Sequence, residues 1–204
     1  MNGNAQVSEE AGRGRGRPRD EDARKRILNA ALTLIEAYGY ANVTMESISE
    51  RAGASKATVY RWWPNKCAIL IEAFREAVLP ELSFPDTGSL AADVRIQLTK
   101  FAKMLTGKRG RVFAAFVTAS QNDPEMATAF RQMWIVPRRT EAKLRLEKHR
   151  KAGRLRREVD LDVALDLLYG PMYYRLLIRH APISPQFAEA VAEAALSGLT
   201  QLTD

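Results

Sequence analysis

The sequence predicts an all-α protein of about nine helices. Three observations carry that prediction. After residue 20 the apolar residues recur at helical spacing, and strand-type alternation is absent. Ala and Leu dominate the apolar positions. Cap residues (Ser, Thr, Asp or Asn) stand at the expected helix starts, and Gly or Pro punctuates the chain between them.

Taken in order, Asp20 is the expected cap of a first helix. Glu21 and Asp22 in its opening turn suit the positive end of the helix dipole. Ile27, Ala31, Leu34, Ile35 and Tyr38 form its apolar face, and Gly39 supplies a stop. Thr44 caps a two-turn helix carrying Met45, Ile48 and Ala52, which Gly53 ends; Ser55 caps a third helix almost at once. A fourth begins at Asn65 behind Pro64, with Ile69, Leu70, Ala73, Phe74 and Val78 as its stripe. Pro80 and SFPDTGS then break the pattern, which divides the chain into a flexible basic arm (1–19), a small head (20–80) and a larger helical part (81–204). Helices resume near 89–106 and 109–121. Asp123-Pro124 opens another that runs to about 151, with a kink expected at Pro137 and an end at Gly153. From Asp160 the residues Leu161, Leu165, Leu168, Met172 and Leu176 keep register through Gly170-Pro171, which predicts one bent helix. Ser184-Pro185 starts the last, whose small residues (Ala188, Ala190, Ala192, Ala194, Ala195, Ser197, Gly198) let another helix approach closely.

Composition narrows the class. A 46% hydrophobic content supplies a core and excludes global disorder. No apolar run approaches the roughly 20 residues that cross a bilayer, and the first residues lack the apolar stretch of a secretory signal. Cys67 alone cannot build a disulfide framework, and it suits a reducing cytoplasm. The net charge of +7 favours an acidic partner, of which nucleic acid is the commonest. Residues 13–66 concentrate that charge, with eleven Lys or Arg against six acids.

Helical spacing places Lys56, Ala57, Tyr60 and Arg61 within about 140° on the third helix, opposite Val59. Two short helices joined by Gly53-Ala54-Ser55 have the outline of a helix-turn-helix, whose second helix enters the major groove. Lys56 and Arg61 suit guanine edges or phosphates, and Ala57 suits close approach and a thymine methyl. The Tyr60 hydroxyl and the amides opening the second and fourth helices suit phosphate oxygens, with Lys66 beside one of those sites.

Across residues 17–75 the chain resembles the DNA-binding domain of the TetR/AcrR transcriptional regulators. The resemblance rests on Tyr38-Gly39-Tyr40, Val43-Thr44, the turn Ala52-Gly53-Ala54-Ser55, Thr58-Val59-Tyr60 and Pro64-Asn65-Lys66. The stretch 167–177, Leu-Leu-Tyr-Gly-Pro-Met-Tyr-Tyr-Arg-Leu-Leu, is similar to a GPxYYRLL-type branch of that family with a C-terminal ligand-binding domain. The resemblance implies a homodimer, formed through the last two helices (160–180 and 185–202), on a palindromic double-stranded DNA operator. It implies a repressor released by a small-molecule effector. It implies phosphate contacts at Thr44, Tyr60 and Lys66, base or groove contacts at Lys56, Ala57 and Arg61, and either role for Thr58. Trp63 matches an aromatic packed between helices three and four; Trp62 stands where members often have histidine, and its role is open.

In the arm, Arg13, Arg15, Arg17 and Arg19 alternate with Gly and Pro, a pattern thin enough for a minor groove. Residues 138–157 hold ten Lys or Arg, and a solvated helix face explains them better than a second nucleic-acid site. Phe101, Met104, Leu105, Phe113, Phe116, Val117, Met133, Trp134, Tyr169, Met172 and Tyr173 are candidates for a mostly apolar effector cavity, though each also suits plain core. Enzyme chemistry finds no support: His149, His180 and Cys67 have no paired nucleophile or base, and Asp162 and Asp166 have no third metal ligand beside them. No cofactor, metal or membrane partner is expected. The alternatives are an activator or constitutive regulator, or a small-molecule-binding module or enzyme with a basic accessory head.

Overall fold

The computed structural model describes residues 17–200, with side chains from residue 21 onward. Those residues contain helices and no strand. The helices are α1 (Arg17–Tyr38), α2 (Met45–Ala52), α3 (Lys56–Trp62), α4 (Lys66–Leu82), α5 (Leu90–Met104), α6 (Gly107–Ala119), α7 (Pro124–Phe130), α8 (Val136–Lys151), α9 (Leu161–Ile178) and α10 (Pro185–Leu199). A π-helical turn, Arg131–Ile135, joins α7 and α8 into one rod, so the described residues form nine helices.

The first helix departs from expectation at both ends. It begins at Arg17, so Asp20 lies inside it and the arm expected through residue 19 is shorter. Pro18 is no obstacle, because the N–H groups of a first turn have no intrahelical acceptor. Ile27, Ala31, Leu34 and Ile35 are buried, but Tyr38 is 61% exposed and leaves the core face. The chain turns at Gly39 (φ 75°) into a short 3₁₀ segment, Tyr40–Asn42.

The head assembles through local caps. Thr44 and Ser47 bond reciprocally at the start of α2, Ser55 Oγ accepts from Thr58 N at 3.1 Å, and Asn65 Oδ1 accepts from Ala68 N at 3.0 Å. Gly53 ends α2 in the left-handed conformation (φ 60°), which costs glycine nothing.

Pro80 does not end α4, contrary to the sequence reading. A helix-interior proline costs about 3 kcal/mol. Pro80 and Glu76, whose carbonyl it leaves without a donor, are both exposed residues. Beyond it Leu82 and Phe84 are buried at 1% and 4%, worth about 1.5–3 kcal/mol each. Arg138 Nη2 also donates to Leu82 O at 2.7 Å, giving the helix end an acceptor's partner.

Phe74, Val78 and Leu82 carry α4 into the larger helical part. Phe74 packs on Phe113, Phe116 and Trp134, and Phe113 also meets Phe101, Phe130 and Tyr173. Gly110 lets α6 approach the preceding turn, since a Cβ there would lie 1.8 Å from Leu105 O. The kink expected at Pro137 is prepared by the π turn just before it, whose longer hydrogen-bond register accommodates the missing N–H. α9 runs unbroken through Gly170-Pro171. Ala188, Ala192 and Ala195 of α10 are buried where α10 packs along α5, whereas Ala190, Ala194, Ser197 and Gly198 are exposed.

Candidate nucleic-acid interface and internal cavity

Helix α3 has two faces. Val59 is fully buried and Trp63, just past its end, is 2% exposed. Trp63 Nε1 donates to Glu72 Oε2 at 2.6 Å, and Glu72 also accepts from Arg24 of α1. These contacts tie α3 to α4 and α1. On the opposite face Lys56, Ala57, Tyr60 and Arg61 are exposed. Lys56 pairs with Glu46 of α2 at 3.2 Å. Trp62, whose role the sequence left open, is half-buried; its ring meets Trp63 edge to face at 5.5 Å and lies 5.2 Å from the Arg61 guanidinium. It therefore buttresses both the core edge and an exposed cation.

Thr58 is half-buried with its hydroxyl 2.8 Å from Ser55 Oγ, and Thr44 is exposed at the start of α2. Lys66 is half-buried rather than free at the start of α4. Its ammonium lies 4.4 Å from the Tyr40 ring centroid and 3.4 Å from Tyr40 O. Tyr40 in turn donates to Asp123 Oδ2 at 2.7 Å and lies 3.2 Å from Cys67 Sγ. Burial pushes the Tyr40 phenol well up, so it remains a donor at neutral pH. Arg13 and Arg15 lie outside the described residues, as do the side chains of Arg17 and Arg19.

Six of the ten cations in the basic stretch 138–157 pair with carboxylates within the chain. Arg139 bonds Asp162 and Asp166, Lys143 bonds Asp162, and Arg145 and Lys148 bond Asp86. Salt links to Lys143 and Arg139 hold the Asp162 carboxyl below its usual range. His149 and Asp93 form a buried pair at 2.9 Å. Burial would raise the Asp93 carboxyl, but bonds from the Thr87 amide and hydroxyl and from His149 outweigh it and hold the carboxyl low.

A cavity of about 60 Å³ lies between α5, α8 and α9, lined by Phe101, Trp134, Ile135, Arg138, Arg139, Tyr169 and Tyr173. It brings together Phe101, Trp134, Tyr169 and Tyr173 from the sequence candidates. Met104, Phe113, Phe116, Val117 and Met172 are buried in the core, Leu105 borders an open groove beside α6, and Met133 another beside α7. The sequence reading missed Ile135, Arg138 and Arg139. The signal was present: Arg138 follows Trp134 by four residues and shares its helical face.

Among the described residues no cluster of His, Cys, Asp and Glu could hold a metal, and no helix is long and apolar enough to cross a membrane.

Two family models match the chain. The one described as "Bacterial regulatory proteins, tetR family" covers residues 27–73, and "Tetracyclin repressor-like, C-terminal domain" covers 84–195. The chain is 40% identical over 185 residues to the HTH-type transcriptional regulator YdeS of Bacillus subtilis, covering 91% of this chain and 93% of that protein. It is 29% identical to the HTH-type transcriptional repressor KstR of Mycolicibacterium smegmatis over 120 residues, 59% of this chain and 54% of that protein. Among solved structures, the TetR family transcription regulator SCO0332 superimposes with a TM-score of 0.78 at 36% identity, covering 88% of this chain and all of that one.

Proposed function

The chain belongs to the TetR family of helix-turn-helix transcriptional regulators, and from that premise we propose a cytoplasmic repressor that binds a palindromic operator as a homodimer and is released by a small, mostly apolar effector. The carrying observation is the division of α3, with Val59 and Trp63 anchored inside and Lys56, Ala57, Tyr60 and Arg61 turned outward. That division gives a basic face on a rigid support, which is what base reading requires. In this reading Lys56, Ala57, Thr58 and Arg61 meet bases or groove, and Thr44, Tyr60 and Lys66 meet phosphates. Lys66 has to leave the Tyr40 ring to do so. The arginines of the arm take the adjacent minor groove.

A homodimer accounts for Val163, Leu167, Tyr174 and Ile178. These residues of α9 are each more than half exposed and recur at helical spacing beside the small exposed residues of α10. A two-fold axis there buries the patch and sets two α3 helices about one DNA turn, or a multiple, apart. The head corresponds to residues up to about 80, with α4 shared between it and the remainder.

Selection of bound sequences from a random DNA pool tests the proposal, and a palindromic consensus is the expected result. Arg61→Ala should cost about 1–3 kcal/mol at its base position and relax specificity there. Lys66→Gln should weaken all sequences alike and flatten the salt dependence. Recovery of no consensus at moderate salt would overturn the reading.

A further inference from the structure

We propose that an aromatic carboxylate bound in the internal cavity loosens the end of α4 by capturing Arg138; this rests on the reading of the chain as an effector-responsive regulator.

Arg138 belongs to two structures at once. It lines the cavity, and it also donates to Leu82 O at 2.7 Å and to Glu141 Oε2 at 2.7 Å. Glu141 Oε1 accepts from Phe84 N at 3.0 Å. Two side chains one turn apart on α8 thus hold the last turn of α4 and the residue pair after it. The same face of α8 continues the grip: Arg145 and Lys148 bond Asp86, and His149 meets Asp93, which accepts from both Thr87 N and Thr87 Oγ1. Positions 138, 141, 145, 148 and 149 follow the three-and-four spacing of a single helical face. The α4–α5 connection is therefore fastened to the helix that walls the cavity. At its other end α4 is bonded to the recognition element through Trp63 and Glu72.

The cavity walls state the ligand class. Phe101, Trp134, Tyr169 and Tyr173 offer aromatic faces, with Phe101 and Tyr169 centroids 5.3 Å apart. Arg139 is already held by Asp162 and Asp166. At the other polar end stand the Arg138 guanidinium and the Tyr169 phenol, which burial keeps protonated. Guanidinium and phenol O–H together are donors for one carboxylate.

Size favours the coupling. A benzene ring occupies a cavity of about 150 Å³, and this one is about 60 Å³. A ring is fully enclosed there only if a wall moves. The wall that can move is Ile135–Arg138, where the π turn meets Pro137 and the regular α-helical hydrogen-bond register is interrupted. Moving it displaces Arg138, and the incoming carboxylate then competes with Leu82 O and Glu141 for the guanidinium.

The test uses the full-length protein on its selected DNA, followed by fluorescence anisotropy, with benzoate, 3-phenylpropanoate and 2-naphthoate set against their primary amides. At least one acid should weaken DNA binding about tenfold, within the usual range of allosteric coupling, while its amide changes it less than twofold. Arg138→Met, checked for native helicity by circular dichroism, should bind DNA as weakly as acid-saturated wild type and ignore the acid. Glu141→Gln keeps an acceptor for Phe84 N and removes the competing charge, so it should need several-fold less acid. Equal effects of acid and amide, a wild-type acid response in Arg138→Met, unchanged acid demand in Glu141→Gln, or no effect of any acid on intact DNA binding would each overturn the proposal. Absence of selective DNA binding by the wild type would instead remove the regulator reading beneath it.

Discussion

Replacing Trp63 with Phe isolates the bond that fastens the recognition helix. Trp63 is 2% exposed, and its indole N–H donates to Glu72 Oε2 at 2.6 Å. A hydrogen bond to a charged group is worth about 1.5–3 kcal/mol. Glu72 keeps Arg24 as a partner, so it is not orphaned, and the lower end of that range applies. Deleting part of a buried ring adds about 1 kcal/mol for the space left behind. The sum, about 2.5 kcal/mol, corresponds to a fall in Tm of roughly 5–10 °C for a chain of this length. Trp62→Phe is the internal control. Its half-buried ring makes an edge contact and carries a guanidinium, and phenylalanine keeps both, so the loss should stay below about 0.5 kcal/mol.

Thermal unfolding followed by circular dichroism, at one fixed protein concentration because association contributes to stability, gives the comparison. Glu72→Gln completes a double-mutant cycle with Trp63→Phe, in which a coupling of about 1 kcal/mol is expected. A Trp62→Phe loss equal to that of Trp63→Phe, or a coupling below about 0.3 kcal/mol, would refute the anchoring role.

Gly110→Ala puts a Cβ 1.8 Å from a backbone oxygen, which cannot swing away; a loss of about 3 kcal/mol is expected in chemical denaturation. Leu167→Glu changes a residue that is 51% exposed in one chain; sedimentation should show a monomer, with DNA affinity at least about tenfold lower because half-sites are no longer bound together. Asp93 titrates below its ordinary value in the folded chain, so its stabilisation is complete above about pH 4 and is lost as pH falls through the folded value. Asp93→Asn should therefore flatten the acid limb of stability below about pH 4, measured by denaturant unfolding at stepped pH.

Legibility in the sequence followed the reach of each interaction. The head was readable because its determinants are local: Thr44 with Ser47, Ser55 with Thr58 and Asn65 with Ala68 each span three residues. The inward face of α3 followed from the same helical spacing, because Val59 stands opposite the basic residues. Tyr38 closes α1 just before the turn at Gly39 and stands exposed although it keeps the spacing of the apolar face. Pro80 was misread because partners elsewhere in the chain override propensity: α4 outlasts it because Leu82, Phe84 and Arg138 reward its continuation. Lys66 was read from its place near a helix start, whereas Tyr40, 26 positions away, decides where its ammonium lies.

The basic stretch shows why such distant pairing matters for function. Ten cations in sequence look like one surface, yet Arg138 and Arg145 find their partners 56 and 59 positions back, at Leu82 and Asp86, while Arg139 finds Asp166 27 positions ahead. A solvated face would tolerate exchange of Lys for Arg along its length. Arg138 does not fit that description, because its fork spans a backbone carbonyl and a carboxylate in fixed directions, which a single ammonium cannot do. A residue that looks like bulk charge in the sequence is thus held in a fixed geometry, and its constraint lies where the cavity, α8 and the end of α4 meet.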